Sequence, residues 1–398
     1  MKVEIFRNYL EAGLQRIAAA LDNGHEVGSL IGIKVTKEAL FLTVASGNLG
    51  CQVKLDAKSD GANIMKVITE GEVSVIGKMF IDAIASLDGK SNLTIEFDPN
   101  AKPEGQSDEE KPSGMLSIKA ERGNKFDEVS LSRIDRSVNL VLPPLDAAVV
   151  MKGDVFKDYY KKIGISAGKA NMSAEMANIN LAGADGKVSM TTTNAQQISR
   201  AWFDADVRKP LSAFLPYEIL AKAVGMLGDE EVSVQATDTK PICGVITQPV
   251  SFLQKLNGEA RYLIASICDT FPKYERVLSK LNWIVTCQIN KKEMESAIKS
   301  FDLFEQVRTR MEVSKSGEIG LRKITDKGKA TRYITANGLA FTKKEDEQDI
   351  EMDISSRHLS LAISTATKDE VKVSLSGRAS MGKIELGDGL EFYFQPFK

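Results

Sequence analysis

Two hydrophobic rhythms alternate along this chain, one with a period of about 3.6 residues and one with a period of two. From Phe6 the run FRNYLEAGLQRIAAAL sets Leu10, Leu14, Ile17 and Leu21 on one face of a helix. KGDVFKDYYKKIGISAG from Lys152 and NKKEMESAIKSFDLF from Asn290 carry the same amphipathic spacing. After each comes a pair of alternating segments: IGIKV and ALFLTV, ANINL and KVSMTT, RMEVS and EIGLRKI. Apolar residues on every second position predict strands with one face buried.

A longer unit recurs in three copies, each an amphipathic helix, a short polar turn and an alternating strand. The copies are IGKMFIDAIASLDGKSNLTIEF from Ile76, LPYEILAKAVGMLGDEEVSVQA from Leu215 and SSRHLSLAISTATKDEVKVSLS from Ser355. Their first apolar strand residues, Leu93, Val232 and Val371, are 139 residues apart in both intervals. Three units reading helix, strands, helix, strands predict an α+β fold with helices packed on antiparallel sheets. The pattern restarts near VLPPL at 141–145 and near Leu278–Asn282, which sets domains at 1–142, 143–280 and 281–398. PNAKPEGQSDEEKPSG, residues 99–114, is charged and rich in Pro and Gly; it predicts a solvated hairpin loop in the first domain, an interdomain linker being the weaker alternative.

With 398 residues, 43% hydrophobic and 27% charged, the chain can bury several cores, and at roughly 100 to 200 residues per domain three domains fit. No apolar run reaches the roughly 18 residues of a membrane helix, and MKVEIFRNYLEAGLQ does not read as a signal peptide, so a cytoplasmic protein is expected. Cys51, Cys243, Cys268 and Cys287 lack CxxC spacing, which favours buried free thiols over disulfides or a metal site. A formal net charge of -2 excludes a surface that is basic everywhere, so any nucleic-acid contact needs locally concentrated charge. Winding the helices leaves Arg16, Lys78, Lys157, Lys161, Lys222, Lys292, Lys299 and Arg357 opposite the apolar stripes. Asp82, Glu218 and Glu295 share those faces, and an ordinary solvated surface stays open as an alternative. Lysines on such helices would meet phosphates as point charges without reading bases, so DNA contact there is expected to be sequence-independent and salt-sensitive.

Local motifs narrow the picture. TFPKYERVLSK, residues 270–280, resembles the FPxYxxVxP segment of the bacterial β sliding clamps. MTTTNAQQISRAWF, from Met190, resembles that family's strand and loop reading T-D-G-x-R-L-A, and the ending YFQPFK resembles its hydrophobe-flanked proline. With the triplication, the resemblance covers nearly the whole chain. Departures are clear: Asn194, Ala195 and Gln197 replace acidic, Gly and Arg residues, Ser279 replaces the last proline, and AEMANIN stands where the family has aromatic-Leu-Asn-Gly. The resemblance implies a head-to-tail homodimer closing a six-domain ring around duplex DNA, with helices lining the hole. It implies an ATP-driven loader, and DNA polymerase subunits and repair proteins bound through short linear peptides. It also implies a peptide pocket between the second and third domains. Carried onto this chain, the pocket walls are Met176, Thr193, Ala195, Gln196, Gln197 and Ile198, then Pro272, Arg276 and Val277, and lastly Met381, Tyr393, Gln395, Pro396 and Phe397. Such a largely apolar cleft would suit Leu and Phe anchors.

Catalytic readings find little material. Only His25 and His358 occur, both expected at the surface, which leaves little material for a His-based triad or a zinc site. GKS at Gly89 mimics the end of a phosphate loop, but Ile84 stands where the loop's first Gly is required. Glu345, Asp346, Glu347 and Asp349 sit in the run KKEDEQD and predict a solvated hairpin tip. A non-catalytic clamp without metal or cofactor is therefore expected. The alternative, a nucleic-acid-processing enzyme on repeated α+β domains, would need a metal-binding carboxylate cluster.

Overall fold

The helix expected from Phe6 forms over Arg7–Ala18 (α1) and buries Tyr9, Leu10, Leu14 and Ile17. Each such leucine or isoleucine contributes about 1.5–3 kcal/mol by leaving water. That stripe carries α1, since its N-cap position, Phe6, makes no side-chain capping bond. Further helices follow at Gly77–Ser86 (α2), Gly153–Ile163 (α3) and Tyr217–Met226 (α4). A single turn at Glu275–Leu278 (α5), too short to show in hydrophobic periodicity, precedes Lys291–Lys299 (α6) and Ser356–Ser364 (α7). Here caps are present: the Asn290 side chain accepts from Glu293 N at 3.2 Å, and Ser355 Oγ accepts from His358 N at 3.3 Å. Leu93, Val232 and Val371 are the second residues of the strands Asn92–Asp98, Glu231–Ala236 and Glu370–Leu375, and all three are fully buried.

This computed structural model describes residues 1–398 apart from 23–28, 60–61, 88–91, 103–112, 123–124, 170, 237–249, 256–257, 266–269, 302–307, 326–327, 343–348, 378–379 and 397–398. The chain divides into two compact units, Met1–Lys157 with Arg208–Ile267 and Asp158–Val207 with Cys268–Lys398.

In the first unit a five-stranded antiparallel sheet runs Lys125–Ser132, Met115–Arg122, Asn92–Asp98, Lys2–Phe6, Met65–Thr69. The strands flanking the 99–114 insertion pair antiparallel, so it joins a hairpin; its residues 103–112 lie outside the described ones. A second sheet runs Val149–Lys152, Glu231–Ala236, Val250–Lys255, Glu259–Ile264, Leu49–Asp56, Ala39–Ser46, Leu30–Val35, Gly71–Ile76. It crosses the sequence boundary near 142, where Glu259–Ile264 pairs with Leu49–Asp56. Helix α1 packs on Ala39–Ser46 and Leu49–Asp56. Beside this sheet passes the segment 133–142, with Val138 against Gly32, Leu140 against Gly50, and Leu140 and Leu142 against Leu263 and Ala265. Cover on both faces explains why Ala39–Ser46 is buried at nearly every position instead of alternating.

In the second unit one sheet runs Asn178–Ala184, Lys187–Thr193, Gln197–Asp204, Leu390–Phe394, Gly382–Gly387, Glu370–Leu375, Val285–Asn290, Asn337–Phe341. It crosses the boundary near 280, through the pairing of Gln197–Asp204 with Leu390–Phe394. A four-stranded sheet runs Gly328–Thr335, Glu318–Thr325, Arg308–Val313, Ile350–Ser355, and α6 packs on α7.

Cys51 and Cys287 are buried free thiols, and burial pushes Cys287 up to about 12. Cys243 and Cys268 lie outside the described residues, as do His25 and Glu345, Asp346 and Glu347.

Candidate functional site

The pairing of Gln197–Asp204 with Leu390–Phe394 sets Ile198 opposite Tyr393 and Gln197 opposite Phe394. Successive strand residues point to opposite faces, so one pairing builds two surfaces. On the first, Ile198, Tyr274, Met381 and Tyr393 form a closed cluster, each less than 9% exposed, with Phe271, Leu278, Leu281 and Trp283 packed against it. Tyr274 comes from the FPKY segment; its hydroxyl lies 3.2 Å from Thr191 Oγ1, and Phe271 meets its ring edge-on at 5.8 Å. Burial raises the phenols of Tyr274 and Tyr393 above their ordinary range, so both stay neutral, and Tyr393 donates to Glu391 Oε2 at 2.7 Å. Two cations border the cluster. The Arg200 guanidinium sits 5.6 Å from the Tyr274 ring, and Lys383 Nζ sits 5.5 Å from that of Trp283. Both cations pair with Glu391, at 3.7 and 3.5 Å. Each ring contact is worth about 0.5–2 kcal/mol depending on desolvation.

On the second surface lies a cavity of about 350 Å³. Ile354, Leu359, Phe392 and Phe394 give it an apolar floor, and Gln196, Gln197, Ser355, His358, Gln395 and Pro396 complete the lining. The 194–197 turn shapes this edge. Asn194 Oδ1 accepts from the backbone N of Gln196 at 3.1 Å and of Gln197 at 2.9 Å, and Thr193 Oγ1 donates to Gln197 O at 2.7 Å. Gln395 N donates to Gln196 O at 2.9 Å, fixing the terminal segment to the turn. His358 is half-buried; burial, then the neighbouring Arg357 charge, lower its pKa below the ordinary 6.5.

The residues expected to wall one peptide pocket therefore divide. Ile198, Met381 and Tyr393 meet in the cluster, while Gln196, Gln197, Gln395 and Pro396 meet at the cavity. Thr193 and Ala195 belong to the turn between them. Arg276 and Val277 are exposed on α5, Val277 at 47%, and Pro272 is half-buried just before it. Met176 joins neither group; its carbonyl accepts from Gly168 N at 3.2 Å. Phe397 lies outside the described residues. His358, expected as ordinary surface, is instead a cavity wall, because the Ser355 cap starts α7 three residues earlier and turns His358 toward the terminal strand. The floor residues Phe392 and Phe394 are not among the expected pocket walls; they flank the expected Tyr393 on the terminal strand, and the strand's period of two, which sends them to the opposite face, is the signal that could have found them.

Of the helix cations, Lys78, Lys161, Lys222, Lys292, Lys299 and Arg357 are exposed. Arg16 is half-buried, with a guanidinium N–H donating to Gln254 O at 3.2 Å. Lys157 pairs with Asp229 at 2.6 Å. Among the described residues no group of three or more His, Cys, Asp or Glu is placed to hold a metal ion, and no helix is long and apolar enough to cross a membrane.

This element order and sheet topology define the α+β fold of the bacterial DNA sliding clamps. A DNA polymerase sliding clamp from Bacillus subtilis matches at a TM-score of 0.83 and 14% identity, over 100% of this chain and 99% of that chain. The DNA polymerase III subunit β from Pseudomonas aeruginosa matches at 0.79 and 15%, over 100% of both chains. The Helicobacter pylori β clamp, solved bound to a DNA ligase peptide, matches at 0.74 and 17%, over 100% of both. No protein-family model and no curated protein sequence matches the chain.

Proposed function

We propose that this protein is a DNA sliding clamp, a non-enzymatic ring that encloses duplex DNA and tethers polymerases and other DNA-acting proteins to it. The carrying observation is the clamp fold over the entire chain, at a TM-score of 0.83. In this reading the three sequence repeats at 1–142, 143–280 and 281–398 are clamp domains, and two chains join head to tail.

The open sheet edges support that dimer. Lys125–Ser132 is one outer strand of the five-stranded sheet, Met65–Thr69 being the other, and Gly328–Thr335 is one outer strand of the four-stranded sheet, Ile350–Ser355 being the other. An uncovered edge is an aggregation hazard that pairing in a closed assembly removes. The first edge exposes Lys125, Phe126, Asp127 and Glu128, a net negative charge, and the second Lys329, Arg332 and Tyr333. Opposite charge and one exposed aromatic on each edge suit edge-to-edge pairing. The exposed cations of α2, α4, α6 and α7, with Lys161 of α3, would hold DNA phosphates loosely, so enclosure rather than affinity would give processivity. Arg16 and Lys157 already have protein partners and would contribute less.

Partners would dock through short linear peptides at the 194–198 turn, α5 and the terminal strand. A ligase peptide bound by the Helicobacter pylori clamp supports this mode of binding. The test is retention on nicked circular plasmid with a cognate loader and ATP, followed by linearisation. Loader-dependent retention that is lost on cutting is the expected result. Retention that survives cutting would mean direct surface binding and would overturn the ring mechanism.

A further inference from the structure

We propose that the cavity beside His358 sets peptide specificity, accepting a carboxylate side chain next to an apolar anchor, with His358 as its proton-dependent partner. The proposal rests on the clamp reading and deepens it.

Its first support is the division of the site. The cluster of Ile198, Tyr274, Met381 and Tyr393 is filled by the chain's own side chains, whereas the cavity on the other sheet face is open. At about 350 Å³ it lies at the small end of ligand pockets, which suits an anchor and its neighbour and not a whole peptide. An apolar anchor would rest on Leu359, Phe392 and Phe394.

The second support is charge. No Asp, Glu, Lys or Arg lines the cavity, and His358 is its single titratable wall among the described residues. The turn contributes Gln196 and Gln197, the strand before α7 contributes Ser355, and the terminal strand contributes Gln395, none of them charged. Arg357, next to His358, is the charge that acts on it; Lys291, Lys292, Glu293, Glu295 and Lys299 of α6 do not line the cavity. Ser355 Oγ is already engaged as the α7 cap. An incoming ammonium would meet a neutral imidazole in a partly desolvated site, with the Arg357 charge beside it on α7 but outside the lining. An incoming carboxylate would be favoured by that nearby charge and would supply the counter-charge of a protonated His358. His358 would then take up a proton on binding, and affinity would rise as pH falls.

The experiment is fluorescence anisotropy on the full-length protein and its H358Q variant. The probes are two labelled short peptides with the same Leu-Phe anchor pair, differing in Asp or Asn beside it. For the wild type, the Asp peptide should bind about tenfold tighter near pH 5.5 than near pH 7.5, the equivalent of a one-unit shift in His358. The Asn peptide, and either peptide with H358Q, should bind with little pH dependence. An equal pH slope in H358Q, or an Asn peptide as tight as the Asp peptide at low pH, would overturn the proposal. So would the absence of peptide binding. In that case loader-dependent retention on nicked circles decides separately whether the clamp reading stands.

Discussion

Ala195 holds a backbone φ of +70°, a left-handed conformation that suits glycine far better than alanine. The Asn194 turn and the Thr193 hydroxyl hold it there, beside the cavity edge. Ala195→Gly should therefore stabilise the protein by about 1 kcal/mol, read as a higher urea midpoint. An unchanged midpoint would mean that the turn relaxes to shed the strain. His358 makes a second residue-scale prediction. Its folded pKa is depressed below the ordinary 6.5, so as pH falls the unfolded chain binds the proton first. The stability tied to neutral His358 is intact above the unfolded pKa and is lost as pH drops from about 6.5 through the folded value. Urea midpoints between pH 7 and 5 should decline less steeply in H358Q, and equal slopes would reject His358 as their source. The sequence shows why these residues were harder to read than their neighbours. Glycine's absence at 195 was visible as a departure from the family motif, but the positive φ was not. His358 lies in a helix start that reads as solvent until the terminal strand passes beside it.

At the scale of elements, both large sheets are joined across sequence repeats by the same device. Gly258, at φ +120°, precedes the strand Glu259–Ile264, and a Cβ there would strike the Lys54 carbonyl on the strand it pairs with. Gly389, at φ +69°, precedes Leu390–Phe394, and a Cβ would strike the Trp202 carbonyl on Gln197–Asp204. The Gly389 carbonyl also accepts from Trp202 N at 2.8 Å, so the close approach sets the register that places Ile198 opposite Tyr393. Gly258→Ala and Gly389→Ala each combine a disfavoured φ with a backbone collision and should cost roughly 2–4 kcal/mol. Hydrogen exchange should locate the loss in the joined strands. For Gly389→Ala, protection should fall in Gln197–Asp204 and Leu390–Phe394 before it falls elsewhere in that unit. Periodicity predicted the six longer helices and the strand pairs, because each has a stripe or face to bury, but it overran the ends of α1 and α3 by three and five residues and stopped three short of the end of Asn178–Ala184. It did not predict which repeats share a sheet, since strand pairing between distant segments leaves no local rhythm. Nor did it mark α5, whose single turn is held by the packing of Tyr274 and not by an apolar stripe.

For the whole molecule, the head-to-tail reading makes a demand that no other dimer makes. The proposed interface joins an edge of net negative charge, Asp127 and Glu128 beside Lys125, to a basic edge, Lys329 and Arg332, on a different copy of the chain. Reversing one edge, as in D127K/E128K or K329E/R332E, would set like charges against each other in both interfaces of the ring. Such juxtaposition costs up to several kcal/mol, so either variant should dissociate to monomer at concentrations where the wild type is dimeric, as sedimentation would read. Mixing the two variants should restore the dimer. In a head-to-tail ring of one copy of each, both reversed edges meet in one interface and both native edges in the other, so every junction is again complementary. A symmetric pairing of like edges would behave differently: the wild type would already set like charges together, so neither reversal alone would weaken it, and loss in each variant combined with rescue in the mixture marks head-to-tail joining. The restored heterodimer should also regain loader-dependent retention on nicked circles, while each variant alone should lose it. Dimers that form equally well from every variant would place the interface elsewhere, and rescue of sedimentation without rescue of retention would separate dimerisation from ring closure.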